Sequence, residues 1–216
     1  MWMAASLPSF DEATDPVLPA SVVPGTRHQR AEPGSGPRTY GKHIVFVGLM
    51  GSGKTTIGKI VASQLQFQQT DSDVDVLAAT GRTARQIADE DGADVIHDEE
   101  ARQLLRRLAE PTPYVIGAAA STIERATCRE AVHRGAMVVW VRVRLDTMLN
   151  RFASQAHRPI LGATVEDMFR DQIRTRYPLY AEVADLTLAV DDDTITPVDA
   201  AKVVVSQYRD VWSTLL

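Results

Sequence analysis

The chain carries a single cysteine, Cys128, in 216 residues. That excludes an internal disulfide and any zinc site built from several cysteines, and it suits a reducing cytoplasm. Long hydrophobic runs are also missing. No stretch approaches the roughly 20 apolar residues of a membrane-spanning helix. Nor is there an excess of positive charge, since 23 Lys and Arg stand against 28 Asp and Glu, a net charge of -5. Binding nucleic acid rewards a basic surface, so the balance argues against that partner. The first residues lack a basic-then-apolar signal, and Asp11, Glu12 and Asp15 fit a transit peptide poorly. The length and the ordinary apolar and charged fractions predict one domain with a tail, in a cytoplasmic and monomeric protein.

Proline is scarce in the body of the chain and dense at its start. Six of the eleven prolines (Pro8, Pro16, Pro19, Pro24, Pro33 and Pro37) fall in residues 1–41, together with Gly25, Gly34, Gly36 and Gly41. No period of 2 or 3.6 persists there, and so little apolar surface cannot offset the entropy of ordering. The expectation is a disordered tail over 1–41, with Trp2 and Phe10 as candidate contact points, or residues upstream of the true start. A globular domain follows over 42–216.

What the chain does have is the run from His43 to Gly58: an apolar stretch, a glycine-rich turn, then a helical pattern. Gly48, Gly51, Ser52, Gly53, Lys54, Thr55 and Thr56 fit the phosphate-binding loop G-x-x-x-x-G-K-[ST]. Glycines let the backbone wrap a phosphate, and the helix N-terminus adds its positive end. Lys54 would reach the β- and γ-phosphates of a bound nucleotide, and the Thr55 hydroxyl would bind the accompanying Mg2+. The bland alternative is a flexible turn, but the motif lies between a strand pattern and a helix pattern, as its function requires.

Further strands are expected at 44–47, 67–70, 114–116, 137–141 and 186–190. Helices are expected at 54–66, 74–80, 83–90, 93–108, 121–134, 145–153, 165–184 and from Pro197. In the helix over 121–134, Ile123, Ala126 and Ala131 would point inward. Alternating strands and helices predict an α/β fold with a parallel sheet and helices on both faces, its ligands beyond the carboxyl ends of the strands.

Three turns at those ends carry polar or glycine-rich residues: 48–55, Asp71 to Asp73, and Gly117 to Ala120. Asp71 and Asp73 are two apart, so on an extended chain both would point the same way. One could hold hydrated Mg2+ while the other takes a hydroxyl proton; the even alternative is a helix cap at Asp73. Arg151, Arg158 and Arg176 suit a phosphate or carboxylate clamp, or are solvated surface arginines. His28, His43, His133 and His157 lack metal-ligand spacing.

From Ile44 to Tyr208 these residues resemble the shikimate kinase family. The matches are the loop 48–58, Asp71-Ser-Asp73, Thr80-Gly81-Arg82, Asp91-Gly92, Glu100, Arg158-Pro159-Ile-Leu161 and Arg176-Tyr-Pro-Leu-Tyr180. The resemblance implies a three-layer P-loop kinase fold with a five-stranded parallel sheet and a lid. It also implies transfer of the ATP γ-phosphate to the 3-hydroxyl of shikimate. In that scheme Lys54, Asp73 and Arg158 are catalytic, and Arg151 and Arg158 join the loop in binding ATP. Asp71 and Thr55 serve the Mg2+. Asp73, His97, Glu100, Gly117, Ala118, Ala119 and Arg176 bind the acceptor.

Two features depart from the family. Ile96-His97 stands where the family has Phe-Arg, whose arginine is a second clamp on the substrate carboxylate. Gly117-Ala118-Ala119 stands where it has three glycines. Loss of one charge-assisted bond is expected to remove ~1.5–3 kcal/mol of binding. Each added methyl narrows the turn, at greater cost if φ is positive. Three readings stay open: a shikimate kinase with a remodelled acceptor pocket, a kinase of another polyol or cyclitol, or a non-catalytic ATP-binding partner protein.

Overall fold

The computed structural model describes residues 23–24, 42–153, 164–191 and 195–213. Arg158 and the segment around it that was expected to form a lid lie outside the described residues, as does nearly all of the expected tail. Five strands run parallel: β2 (His43–Val47), β3 (Gln68–Asp71), β4 (Tyr114–Gly117), β5 (Ala136–Arg142) and β6 (Leu186–Ala189). A two-residue β1 (Val23–Pro24) pairs antiparallel with β6, completing the order β1-β6-β5-β2-β4-β3. The parallel five-stranded sheet is the one anticipated; the antiparallel segment at its edge adds to it.

Between His43 and Arg142 at their ends, the central strands β2 and β5 are apolar because helices cover both faces. Every residue of β2 is buried, and it pairs Val45 with Val138 of β5 and with Ile116 of β4. Side chains alternate along a strand, so Phe46 and Val47 point to opposite faces. On the Phe46 side lies α1 (Lys54–Leu65), brought close by Gly58, where a Cβ would already stand 3.4 Å from Val115. On the other side Trp140, register partner of Val47, meets Tyr177 edge-on at 5.0 Å and Tyr180 at 6.0 Å. Both tyrosines belong to α7 (Val165–Val183). His43 is a satisfied core residue: Tyr114 N–H donates to Nδ1 at 3.2 Å, and Nε2 donates to the Glu110 carbonyl at 3.1 Å. Burial lowers its pKa.

A smaller layer stands beside the sheet. It consists of α2 (Ser72–Thr80), α3 (Ala84–Asp91) and α4 (Ala93–Leu108). Thr83 caps α3 in a reciprocal box with Gln86, and Gly81 closes α2 in the left-handed conformation. Val76, Ile87 and Ile96 form their own buried cluster there, apart from the main core. The expected helix over 121–134 is instead a 3-10 turn (Thr122–Glu124) followed by α5 (Ala126–Gly135). Arg125 breaks it with extended backbone, φ -86° and ψ 121°. Its inward face is Ile123, Cys128 and Val132, whereas Ala126 is exposed. Two further helices, α6 (Leu145–Ala153) and α8 (Pro197–Ser213), complete the described chain. No helix among the described residues is long and apolar enough to cross a membrane.

Candidate functional site

Residues 48–53 join β2 to α1 through three glycines with positive φ: Gly48 at 143°, Gly51 at 78° and Gly53 at 102°. At Gly48 a Cβ would stand 2.6 Å from the Val141 carbonyl oxygen of β5, so space as well as conformation demands glycine. Gly53 occupies the N-cap of α1 and offers no side-chain acceptor to the first-turn N–H groups. The Ser52 hydroxyl is buried without a partner among the described residues. Lys54 turns back along the loop, donating from Nζ to the carbonyls of Gly48 and Leu49 at 2.8 Å each. Burial lowers its pKa to about 8, against the raising pull of Asp73 and Asp71. Thr55 is half-buried and Thr56 exposed. From α6, Arg151 donates to the carbonyls of Gly51 at 3.4 Å, Ser52 at 3.3 Å and Val190 at 3.3 Å, bracing the loop against the end of β6.

Asp71 ends β3 and caps α2, accepting from Val74 N–H at 3.1 Å through Oδ1. The cap is therefore Asp71 and not Asp73, and the two do not share an extended segment, because the helix begins at Ser72. Asp73 lies in the first turn of α2. What unites the pair is Lys54, whose ammonium feels both carboxylates.

Asp73 also couples to Glu100 on α4, and Glu100 couples in turn to His97 and Arg176. Burial raises the pKa of Glu100, while the Ser121 hydroxyl, donating at 2.5 Å, acts in the opposite sense. Arg176 on α7 donates from Nε to Glu124 Oε1 at 2.6 Å, with 14% of its side chain exposed. One turn further, the Tyr180 hydroxyl donates to the Ala120 carbonyl at 3.1 Å. Among the described residues, the site residues expected from the sequence thus fall into one group around Lys54 and another around Glu100 and Arg176, with Asp73 acting electrostatically on both Lys54 and Glu100.

The segment Gly117 to Ala119 sits between them. Asp71 is the register partner of Gly117, and a Cβ there would come 3.2 Å from the Asp71 Cβ. Ala118 is buried and donates its N–H to the Phe46 carbonyl at 3.0 Å. Among the described residues Gln66 is the only non-glycine with positive φ, so neither alanine is strained. Glycine is kept at the one position of the three where a methyl would press on a carboxylate residue.

Ser121, Glu124 and Asp75 escaped the sequence reading. Asp75 is 4% exposed and takes bonds from Thr70 Oγ1 at 2.8 Å and from Arg107 Nη2 at 2.6 Å and Nε at 3.0 Å. Arg107 lies over the Tyr114 ring at 4.8 Å. Their charged partners stand 21 to 52 residues away in sequence, so no local pattern marks them. Among the described residues no three His, Cys, Asp or Glu side chains gather into a metal cage. A hydroxyl at Thr55 and the Asp71 oxygen left outside the cap bond fit Mg2+, which keeps several water and phosphate oxygens. The cradle of three glycines and the partnerless Ser52 hydroxyl fit a nucleotide phosphate.

Comparison with known proteins gives a consistent result. The family model described as "SKI: Shikimate kinase" matches residues 50–209. The shikimate kinase of Pseudomonas fluorescens (strain Pf0-1) is 31% identical over 152 residues, covering 70% of this chain and 88% of that protein. That of Mesorhizobium japonicum is 33% identical over 172 residues, covering 77% and 84%. Among solved structures, the shikimate kinase from Acinetobacter baumannii in complex with shikimate superposes with a TM-score of 0.69 at 26% identity, covering 80% of this chain and 95% of that one.

Proposed function

The chain belongs to the shikimate kinase family, and we propose that it transfers the γ-phosphate of ATP to the 3-hydroxyl of shikimate with its residues dividing the work as follows. The loop amides and Lys54 hold the β- and γ-phosphates, and Lys54 leaves its carbonyl partners to do so. Thr55 and Asp71 hold Mg2+, which supplies charge neutralisation on the phosphate oxygens. Asp73 takes the proton of the acceptor hydroxyl as that oxygen bonds to phosphorus and the bond to the β-phosphate oxygen breaks, leaving ADP. Glu100 and His97 contact the acceptor, Arg176 pairs with its carboxylate, and the turn 117–119 walls it in. Arg151 steadies the loop beside the nucleotide, and Arg158 serves as the lid cation.

The observation that carries this reading is the loop of three positive-φ glycines with Lys54 folded back along it and the Ser52 hydroxyl left without a partner among the described residues, with Asp73 acting electrostatically on both Lys54 and Glu100. Phosphoryl transfer needs donor and acceptor in line and little covalent help from the protein. Asp73, whose charge acts on both Lys54 and Glu100, supports the reading of it as the base between the two. The departures at His97, Ala118 and Ala119 fall on the acceptor side, which favours a remodelled pocket over a lost activity. The test is shikimate-dependent ADP release with Mg-ATP, with Lys54→Ala as the blank. Release that vanishes in the variant is expected. If the wild type is silent while ATP still binds, the acceptor is another small polyol or the protein acts without turnover.

A further inference from the structure

Arg176 already holds a carboxylate. Its Nε donates to Glu124 Oε1, and no other hydrogen bond or ion pair engages the guanidinium among the described residues. Glu124 is not a casual surface neighbour. It ends the 3-10 turn that follows β4, its N–H donates to the Ser121 carbonyl at 3.0 Å, and Arg129 Nη1 donates to its carbonyl at 3.0 Å. The ion pair of Arg129 is with Glu182, at 3.4 Å. The turn that carries Ser121 to Glu100 therefore carries Glu124 to Arg176, 52 residues away in the chain. Among the groups coupled to Glu100, Arg176 is the only arginine, and Asp73 adds a further negative charge.

We propose that Glu124 is a specificity-determining residue whose carboxylate occupies Arg176 as an internal stand-in, so that an acceptor carboxylate binds only in competition with it. The inference rests on the reading that Arg176 receives the acceptor carboxylate. Its consequence is a site that admits charged acceptors weakly until the internal pair opens. Glu124 keeps 45% of its side chain exposed and Arg176 only 14%, so the glutamate is the partner free to swing into water.

The test is Glu124→Gln in the full chain, which keeps shape and removes charge. The KM for shikimate is expected to fall about two- to fivefold, the range that a half-exposed ion pair spans, with the KM for ATP unmoved. Shikimate methyl ester, which lacks the competing charge, should bind both proteins alike by calorimetry. An unchanged or higher KM for shikimate in the variant overturns the proposal. So does an equal gain for the ester, which would mean a change of shape rather than of charge. If wild type and variant both fail to release ADP with shikimate, the proposed function fails instead. Calorimetric binding of shikimate then still reads Glu124: tighter binding by the variant upholds the competition, and equal or absent binding ends it.

Discussion

Lys54 is held in a state that costs stability. In the unfolded chain its ammonium titrates near the ordinary value of 10.5; in the folded protein burial brings it to about 8, against the pull of Asp73 and Asp71. Below pH 8 both states carry the proton and the folded one bears the full penalty. Between 8 and 10.5 only the unfolded chain keeps its proton, so the penalty shrinks, and above 10.5 it is gone. Lys54→Met is therefore expected to raise Tm, relative to wild type, most at pH 7 and progressively less toward pH 10. Thermal unfolding at several pH values, without nucleotide, checks this; a difference that grows with pH would refute it. A triphosphate would pull the lysine's value back up, so the strain stored in the loop is released on binding. The glycine turn between β2 and α1, with Lys54 opening the helix, was readable from sequence because its demands are local. Glu124 and Asp75 were not, since their partners stand 52 and 32 residues away.

At the level of elements, a buried ion pair helps to tie α2 to the rest, beside the packing of Val76. Asp75 receives Arg107 through two nitrogens and Thr70 through its hydroxyl, joining α2 to α4 and to β3. Removing either partner is not equivalent. Arg107→Ala strands a carboxylate that is 4% exposed, whereas Asp75→Ala leaves an arginine whose side chain is 28% exposed and can reach water. Arg107→Ala should cost about 3 kcal/mol and Asp75→Ala less, as read by urea unfolding; the reverse order would show that packing of Arg107 on Tyr114 matters little. Element boundaries were legible where apolar spacing and stop signals agree, as for α4 and α6, predicted at Ala93–Leu108 and Leu145–Ala153 and found there. They were misread at 121–134, where helix-favouring residues continue past the extended backbone of Arg125 that ends the 3-10 turn. The aspartate pair was misjudged likewise, because the helix takes over at Ser72 to use Asp71 as its cap.

For the molecule as a whole, the described residues hold two separate hydrophobic cores of unequal size. The sheet core includes Phe46, Val138 and Tyr180, whereas α2 to α4 enclose only Val76, Ile87 and Ile96, with Ala84 and Ala88 beside them. A small separate cluster can open while the sheet stays shut. Amide hydrogen exchange should find α3 exchanging faster than β5, and Ile87→Ala, at ~2–4 kcal/mol, should quicken α3 while leaving β2 and β5 unchanged. Uniform acceleration across the sheet would mean a single cooperative unit. The parallel sheet itself was foreseeable from alternating patterns, but that its neighbouring layer owns a core was not, because the three side chains lie on three different helices.

The short antiparallel pairing of Val23 and Pro24 with Thr187 and Leu186 has a consequence for encounters between copies. A sheet margin offers a row of open amides and carbonyls on which a foreign strand can add, the first step of aggregation. On this flank two positions of β6 are already taken, and at Pro24 an arriving strand meets a residue with no N–H to give. The opposite flank, β3, is only four residues long and ends at Asp71, whose charge resists stacking. Both margins are thus poor templates, and the protein should stay dispersed at concentrations where a longer bare edge would seed fibres.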